Sequence, residues 1–224
     1  MLWRFNLGKL TRAQSQFINV AAGEDLAPVC DDLTNEDDTI RHFILRNPED
    51  PKASLILVDT PGLDNYDFRA NDLILQNTRD WINNQYSSDT KLGGILYLHD
   101  ITDDRGGLPY QNGTSPVMRF TNPELLKHLM LASGKWDRQR PEENFERREK
   151  ELVATVWKRL LDNGAKSHRF LNTQESAWMI LDELLQTQPL QVDVLQRELK
   201  RIQDLQTPSK KKNGFRGFFA NLLK

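Results

Sequence analysis

The sequence predicts an α/β domain whose mostly parallel β-sheet is covered by helices on both faces. Apolar runs with the length of strands alternate along the chain with amphipathic helical patterns, an order typical of parallel sheets. The clearest run, Ser54–Thr60, reads SLILVDT and ends at Pro61 and Gly62, as expected for a strand buried on both faces. The 224 residues, 38% of them hydrophobic, suffice for one such domain and a tail.

Four further segments are predicted to be strands. Arg41–Asn47 ends shortly before Ser54–Thr60, and the intervening loop is too short for a helical crossover. The connection permits an antiparallel hairpin of these two strands. The remaining predicted strands are Gly93–Leu98, His128–Ser133 and Ser167–Leu171.

Three helices follow from apolar residues that recur with the period of an α-helix. The first covers about residues 71–86. The second is predicted as one continuous helix over Glu142–Asn163, with Val156 on its apolar stripe, and Gly164 suits its C-terminal cap. The third begins near Thr173 and presents a single apolar face.

Pro189 is predicted to end the third helix, after which a polar helical extension continues to about Gln206. This pattern divides the chain into a domain over residues 1–188 and a C-terminal part over residues 189–224. The C-terminal part then comprises the polar helix and a basic amphipathic tail.

Charge and cysteine content restrict the function classes. The net charge is −2, which does not favour nucleic acid as a partner. The single cysteine, Cys30, cannot form an internal disulfide, so we expect a reducing, cytoplasmic location. The first residues contain no long apolar run, and we therefore expect neither a signal peptide nor a membrane span.

The stretch ILVDTPG carries the clearest chemical signal. Asp59 ends a buried strand, and acidic side chains at the carboxyl edge of such sheets lie where ligands bind. We expect Asp59 to hold Mg²⁺ through water, and the N–H of Gly62 to approach a γ-phosphate because glycine has no side chain in the way. The alternative is a strand that simply ends in a Pro-Gly turn.

A second stretch, GKLTRAQS, matches a phosphate-binding loop in part. The pattern G-x-x-x-x-G-K-[ST] opens a helix and surrounds phosphates with backbone N–H groups. Gly8 and Ser15 occupy its first and last positions, whereas Ala13 replaces the second glycine and Gln14 replaces the lysine. We expect Ser15 to remain a ligand of Mg²⁺ through its hydroxyl group.

The third stretch is GKWD, which follows an apolar run. Guanine-binding domains use the pattern [NT]-K-x-D, in which the aspartate accepts hydrogen bonds from the base and the lysine stem packs along it. Lys135 and Asp137 have this spacing, and Gly134 replaces the Asn or Thr. The alternative is a solvated surface segment, because K-x-D is a common combination.

The histidines give weaker signals. His99 and Asp100 in LHDITDD could suggest a metal site, but a loop at the end of a strand is the better interpretation. His128 and His168 are isolated in the sequence, and we expect structural roles for both.

These motifs resemble, in order, those of G-domain proteins common in fungi, which are relatives of septin-like and immune-associated GTPases. The matching phrases run from about Phe17 to Leu185 and include FINVAAGEDLAPV, IRHFILRNPEDP, ILVDTPGLDN, GGILYLHDI, GKWD and ESAW. The resemblance implies a P-loop NTPase fold, binding of GTP and GDP with Mg²⁺, and switch-type GTPase activity. It also implies a protein partner or self-association through the G domain.

The phosphate loop departs from the pattern of this family, which carries a sequence like GATGAGKS where this chain has GKLTRAQS. A lost charge-assisted hydrogen bond of about 1.5–3 kcal/mol lowers affinity by roughly ten- to a hundredfold. The preceding segment Leu2–Leu7 should form a central strand, although Arg4 and Asn6 suit a buried strand poorly. A degenerate loop and a wrongly joined first exon both fit these departures.

The switch residues depart from the family as well. Alignment from the phrase DLT puts Asp37 where relatives have a phosphate-sensing threonine, and Thr39 is the predicted substitute. Leu63 stands where some GTPases have a water-orienting glutamine. We therefore expect weak or partner-dependent hydrolysis, and the alternative function is a pseudo-GTPase interaction module that no longer binds nucleotide.

Residues 209–224, SKKKNGFRGFFANLLK, form a separate signal. Five basic residues without an acid accompany phenylalanines and leucines at helical spacing. Such a basic amphipathic helix can lie on an anionic membrane surface, so we expect peripheral membrane association. The alternatives are docking on the domain or on a partner, and a disordered tail.

Overall fold

The computed structural model describes eight segments of the chain: residues 2–6, 11–28, 39–46, 54–62, 68–87, 89–102, 115–141 and 143–206. Gly8, Asp37, Leu63 and the tail over residues 209–224 lie outside the described residues, as does most of the predicted loops at residues 30–39 and 100–116. The predictions that concern them are therefore not addressed by the structure.

Seven strands form one mixed sheet, whose spatial order is β2-β3-β1-β4-β5-β6, with β7 paired to the start of β4. The strands are β1 Leu2–Asn6, β2 Arg41–Arg46, β3 Ser54–Asp59, β4 Lys91–Asp100, β5 Leu129–Gly134, β6 Lys166–Arg169 and β7 Leu190–Gln191.

The five strands β3, β1, β4, β5 and β6 run parallel to one another, as predicted. β2 is antiparallel to β3, so the two strands form the hairpin that the short connection between them permits. β1 pairs with both β3 and β4, so the segment Leu2–Asn6 forms a central strand. Its register against β4 shifts between Trp3 and Arg4, where β4 contains one extra residue, Gly93.

Seven described helices cover the two faces of the sheet: α1 Thr11–Ala22, α2 Phe68–Gln85, α3 Pro123–Leu126, α4 Phe145–Ala154, α5 Lys158–Asp162, α6 Gln174–Leu185 and α7 Val192–Gln206. Side chains alternate between the faces along each buried strand. In β3, Leu55 and Leu57 pack with α1 and α6, whereas Ile56 and Val58 pack with α2, α4, α5 and α7. The described chain is therefore the predicted α/β sandwich of three layers.

The predicted helix over Glu142–Asn163 is wrong in its middle, because the chain forms two helices, α4 and α5, with a break at residues 155–157. The N–H of Trp157 bonds to the carbonyl of Leu152 instead of the residue four positions back. This extra residue moves the buried position from Val156 to Trp157, whose ring is 1% exposed. Burial of the large indole is the physical reason for the break.

The segment that ends at Gln206 is helical as expected, but it is not a polar extension. Val192, Leu195, Leu199 and Ile202 of α7 are buried in the core against α2. Side-chain hydrogen bonds also join α2 and α7. In one of them the Arg79 guanidinium donates to the Gln203 side-chain oxygen at 2.7 Å. The helix is thus part of the domain core.

The predicted start of α6 near Thr173 is confirmed. The Thr173 hydroxyl oxygen accepts a hydrogen bond from the N–H of Ser176, and the Ser176 side chain bonds back to the Thr173 backbone. This reciprocal pair is a capping box and fixes the start of the helix.

None of the helices in the described part of the chain has the length and apolar character needed to cross a membrane.

Candidate functional site

The predicted site residues converge on one edge of the sheet. Parallel strands end at the same edge, and there β3 ends at Asp59, β4 at Asp100 and β5 at Gly134. Polar groups at this edge can therefore act on one ligand, as is general for open α/β sheets.

Ser15 and Asp59 are brought into contact at this edge. The hydroxyl of Ser15 donates a hydrogen bond to Asp59 Oδ2 at 3.2 Å, although 44 residues separate them in the sequence. Ser15 is buried on the sheet side of α1, and Asp59 is the last residue of β3. One hydroxyl and one carboxylate are hard oxygen ligands, the type that Mg²⁺ prefers.

The start of α1 differs from that of a complete phosphate loop. The helix begins at Thr11, so Ser15 lies inside the helix instead of at its first position. Gln14, at the position of the consensus lysine, has a fully buried side chain. A buried neutral amide thus stands at the sequence position of the consensus cation.

Two other predicted residues lie near this end of the site. Gly62 is half-buried and follows Asp59 by three positions. Thr39 is exposed and lies just before β2. Because β2 is antiparallel to β3, its first residue, Arg41, pairs with Asp59, and Thr39 is therefore near the same edge.

A recess at the ends of β4 and β5 brings Lys135 and Asp137 together with α1. The space inside it, apart from its open mouth, is about 20 Å³. Its walls come from α1, β4, the segment after β5 and the segment after β6, and they consist of Ala13, Gln16, Leu98, His99, Asp100, Gly134, Lys135, Asp137, Arg138, Phe170 and Asn172. The walls thus combine apolar side chains with a few polar groups, as in many small-molecule sites.

Lys135 is held against the floor of the recess. Its backbone has the left-handed conformation with φ of 65°, and its ammonium group donates to Asp100 Oδ2 at 2.6 Å. The other oxygen of Asp100 accepts hydrogen bonds from the N–H and the hydroxyl of Thr102. Burial alone would raise the pKa of Asp100, but the bonds from Lys135 and Thr102 and the lysine charge outweigh it and lower that pKa below 3.8.

Asp137 lies at the rim of the recess. It is exposed and occupies the middle of a single 3₁₀ turn, Trp136–Arg138. Its carboxylate can therefore accept hydrogen bonds from a ligand that enters the recess, whereas the Lys135 stem lies deeper.

The sequence analysis did not identify Asp100, Gln16 or Asn172 as site residues. The Gln16 amide nitrogen donates to Asn172 Oδ1 at 2.8 Å, which links α1 to the segment after β6. Asn172 has φ of 58°, a conformation that asparagine tolerates better than most residues. The only sequence signal was its place just after a predicted strand.

The interpretation of His99 and Asp100 as part of a loop is wrong, because both belong to β4. His99 is buried and packs edge-on against Trp157, with ring centroids 5.9 Å apart. In the part of the chain that the structure describes, no group of three or more His, Cys, Asp or Glu side chains could hold a metal.

His128 and His168 have structural contacts. The two ring nitrogens of His128 lie 2.9 Å from the carbonyl oxygen of Glu124 and 2.7 Å from that of Gln188. His168 pairs with Glu183 on β6 and α6. Neither contact involves the recess, which agrees with the structural roles expected for these residues.

Solved structures share this fold at low sequence identity. A structure of the chloroplast translocon components atToc33 and psToc159 matches over 94% of this chain and 84% of that one, with a TM-score of 0.59 and 14% identity. Toc33 from Arabidopsis thaliana with GDP and Mg²⁺ matches over 92% and 84%, with a TM-score of 0.57 and 15% identity. Era from Aquifex aeolicus bound to GDP and AlF₄⁻ matches over 88% and 56%, with a TM-score of 0.50 and 16% identity.

No protein-family model matches the sequence, and a comparison with curated proteins gives no match either. The structural likeness nevertheless shows the fold. The chain has the α/β fold of these GTPase structures, a mixed sheet with helices on both faces.

Proposed function

We propose that this protein binds guanine nucleotides as a GTPase-type switch. The arrangement of α1 carries the proposal: Ser15 faces Asp59 on one side of the helix, whereas Ala13 and Gln16 line the recess that holds Lys135 on the other. A single nucleotide that lies along the first turns of α1 would reach both groups.

The base would occupy the recess. The Lys135 stem, held by Asp100, provides an apolar surface for one face of the ring. The Asp137 carboxylate would accept hydrogen bonds from the N1 and exocyclic amino groups of guanine, which adenine does not offer in that arrangement. Discrimination against adenine would then come from unpaired polar groups, which are costly when buried.

The phosphates would lie at the other end, near Ser15, Asp59, Gly62 and Thr39, with Gly8 as the further predicted contact. The Ser15 and Asp59 oxygens fit Mg²⁺, since this ion is usually bound by one or two protein oxygens together with phosphates and water. When bound, Mg²⁺ would neutralise phosphate charge. Asp59 would orient a water ligand, and Ser15 would contribute its hydroxyl oxygen.

Hydrolysis would be weak or dependent on a partner. Gln14 provides no cation for the phosphates, and Leu63 cannot orient a water molecule. Toc33 structures contain GDP or GMPPNP with Mg²⁺, and dimerisation is described as important for GTPase activity of the related translocon components. We propose by analogy that self-association or a protein partner of the G domain completes turnover.

The second candidate is a pseudo-GTPase that uses the same fold as an interaction module. The burial of Gln14 favours it, because the side chain at the consensus lysine position is enclosed within the protein. The early start of α1 at Thr11 favours it too, since the phosphate-facing turn of the consensus precedes its helix.

The deciding experiment is a titration of the full chain with fluorescent GDP and GTP, with and without Mg²⁺, in competition with unlabelled GTP or ATP. Magnesium-dependent binding that GTP competes and ATP does not would support a guanine site. The absence of binding by a folded protein would contradict nucleotide binding and support the interaction module.

The basic tail supports a separate proposal, namely a cytoplasmic protein that associates peripherally with anionic membranes. Its basic side chains would bind anionic lipid headgroups, and its phenylalanine and leucine side chains would insert at the boundary with the acyl chains. Sedimentation with vesicles that contain phosphatidylserine tests this proposal. Deletion of residues 209–224 should abolish binding, and unchanged binding by the deleted chain would contradict it.

A further inference from the structure

We infer that Ser133, Glu149 and Arg169 clamp the indole of Trp136 and thereby position the base-binding loop, residues 134–138. For its ligand the inference rests on the proposed function, but the clamp itself is a property of the protein without nucleotide. None of the four residues was predicted to belong to the site. They are positioning residues, since they act through Lys135 and Asp137, which flank Trp136.

The first contact fixes the edge of the indole. Trp136 Nε1 donates to the backbone carbonyl oxygen of Ser133 at 3.1 Å and lies 3.2 Å from the Ser133 hydroxyl oxygen. Trp136 therefore folds back over the end of β5. Lys135 lies between these two residues and must reverse the chain direction there.

The second contact fixes the face of the indole. The guanidinium carbon of Arg169 lies 4.2 Å from the Trp136 ring centroid, within the range of a cation–π contact. The ring of Phe145 approaches Trp136 edge-on, with centroids 6.1 Å apart and planes at 80°. The indole is thus enclosed between β6 and the start of α4.

Glu149 joins the two contacts. Its Oε2 accepts a hydrogen bond from Arg169 Nε at 2.7 Å and a second from the Arg169 Nη2 group. Its Oε1 accepts from the Ser133 hydroxyl at 3.1 Å. One carboxylate, with 17% of its side chain exposed, therefore orients both the cation over the indole and the serine at its edge.

The consequence concerns the backbone of Lys135. Its φ of 65° is uncommon for a residue other than glycine, so the surrounding contacts must hold it. Asp100 holds its side chain from within the recess, and the Trp136 clamp holds the next residue from behind. Together they fix the direction in which Asp137 points before any ligand arrives, which lowers the ordering cost of binding.

The test measures amide hydrogen exchange by mass spectrometry in the full chain without nucleotide, for Arg169→Ala, Glu149→Gln and Arg169→Lys. Exchange of the loop amides should become about tenfold faster in Arg169→Ala, which corresponds to loss of a cation–π contact and its bidentate bond. Glu149→Gln should show a smaller increase. Arg169→Lys should recover little protection, because lysine lacks the planar fork.

Arg147→Ala is the matched control, since Arg147 forms an ion pair with Glu151 on the exposed side of α4. Faster exchange confined to the loop in the Arg169 and Glu149 variants would support the clamp. Exchange no faster than in the control, or an increase spread over the whole domain, would overturn it.

The same variants are then titrated with fluorescent GDP. If the wild-type protein binds GDP, the clamp predicts an affinity about tenfold lower in Arg169→Ala, with Arg147→Ala unchanged; equal affinities would overturn its positioning role. If the wild-type protein binds no GDP, the proposed function fails, whereas the exchange result still decides whether the clamp exists.

Discussion

The two ends of the site differ in the charged contacts that the chain places there. At the base end, Lys135 is tied to Asp100, and the adjacent Trp136 is enclosed by Ser133, Arg169 and Phe145. At the phosphate end, Ser15 and Asp59 share one hydrogen bond of 3.2 Å, and a neutral amide stands at the lysine position.

This difference indicates where binding energy can come from. A preorganised pocket loses little conformational entropy when a ligand binds, whereas a phosphate end without its cation lacks the strongest electrostatic contact. We therefore expect nucleotide affinity in this protein to depend on the base more than in a GTPase with a complete phosphate loop. Four predictions, in order of decreasing effect, test this view.

The largest expected effect is at the base. Asp137→Ala should weaken GDP binding by at least about 100-fold, because it removes two hydrogen bonds to a charged group, each worth at least about 1.5 kcal/mol. Titration with fluorescent GDP measures it. Asp162→Ala is the control, since Asp162 is an exposed carboxylate paired with Lys158. An Asp137→Ala variant that binds as tightly as the wild type would show that the base lies elsewhere.

The next largest effect is expected from substitutions that restore the consensus residues at the phosphate end. The double variant Ala13→Gly, Gln14→Lys should bind GTP roughly ten- to a hundredfold more tightly, since it restores the charge-assisted contact to phosphate. Competition titration against GTP measures the gain, and Ala13→Gly, Gln14→Met serves as an uncharged control of similar length. An affinity no higher than that of the control would mean that the phosphate end is defective beyond these two positions.

The third prediction concerns stability at the base end. Asp100→Asn should lower the free energy of unfolding by about 2 kcal/mol at neutral pH, the contribution of hydrogen bonds to a charged group. Because the folded-state pKa of Asp100 is lowered, this contribution is present above the unfolded pKa of about 3.9 and is lost as pH falls through the folded value.

Urea unfolding at neutral pH and near about pH 3 checks this prediction. The difference between the wild type and Asp100→Asn should shrink at the lower pH. Asp182→Asn, an exposed change on α6, is the control. A difference that is the same at both pH values would show that the carboxylate charge is not what stabilises Lys135.

The smallest effect is expected at the contact between Ser15 and Asp59. Ser15→Ala should lower the free energy of unfolding by about 1 kcal/mol, the net value of one hydrogen bond. It should also remove the dependence of GTP affinity on Mg²⁺. Thermal unfolding and titration with and without Mg²⁺ measure both, with the exposed Ser87→Ala as control. A magnesium dependence equal to that of the wild type would exclude Ser15 as a ligand.

Local patterns in the sequence were sufficient for most of the fold. The hairpin of β2 and β3 followed from a short connection, and the start of α6 near Thr173 followed from helical periodicity, whereas its capping box came from the structure. Helical periodicity gave the wrong buried residue in the middle of the second predicted helix. It placed Val156 on the apolar stripe of one continuous helix, whereas in the structure Trp157 is buried and the helix breaks there. It also missed the buried face of α7, whose apolar residues are separated by charged ones.

The sequence by itself determined the largely parallel sheet and the placement of Asp59, Lys135 and Asp137 at or just after strand ends, although it ended β4 two residues early. Only the tertiary structure decided which side chains meet there. Ser15 contacts Asp59 across 44 residues, Lys135 contacts Asp100 across 35, and Arg169 contacts Glu149 across 20. The physical reason is that a strand's period encodes which face a residue occupies, whereas a charged pair forms only where packing of different elements brings both partners within hydrogen-bond distance.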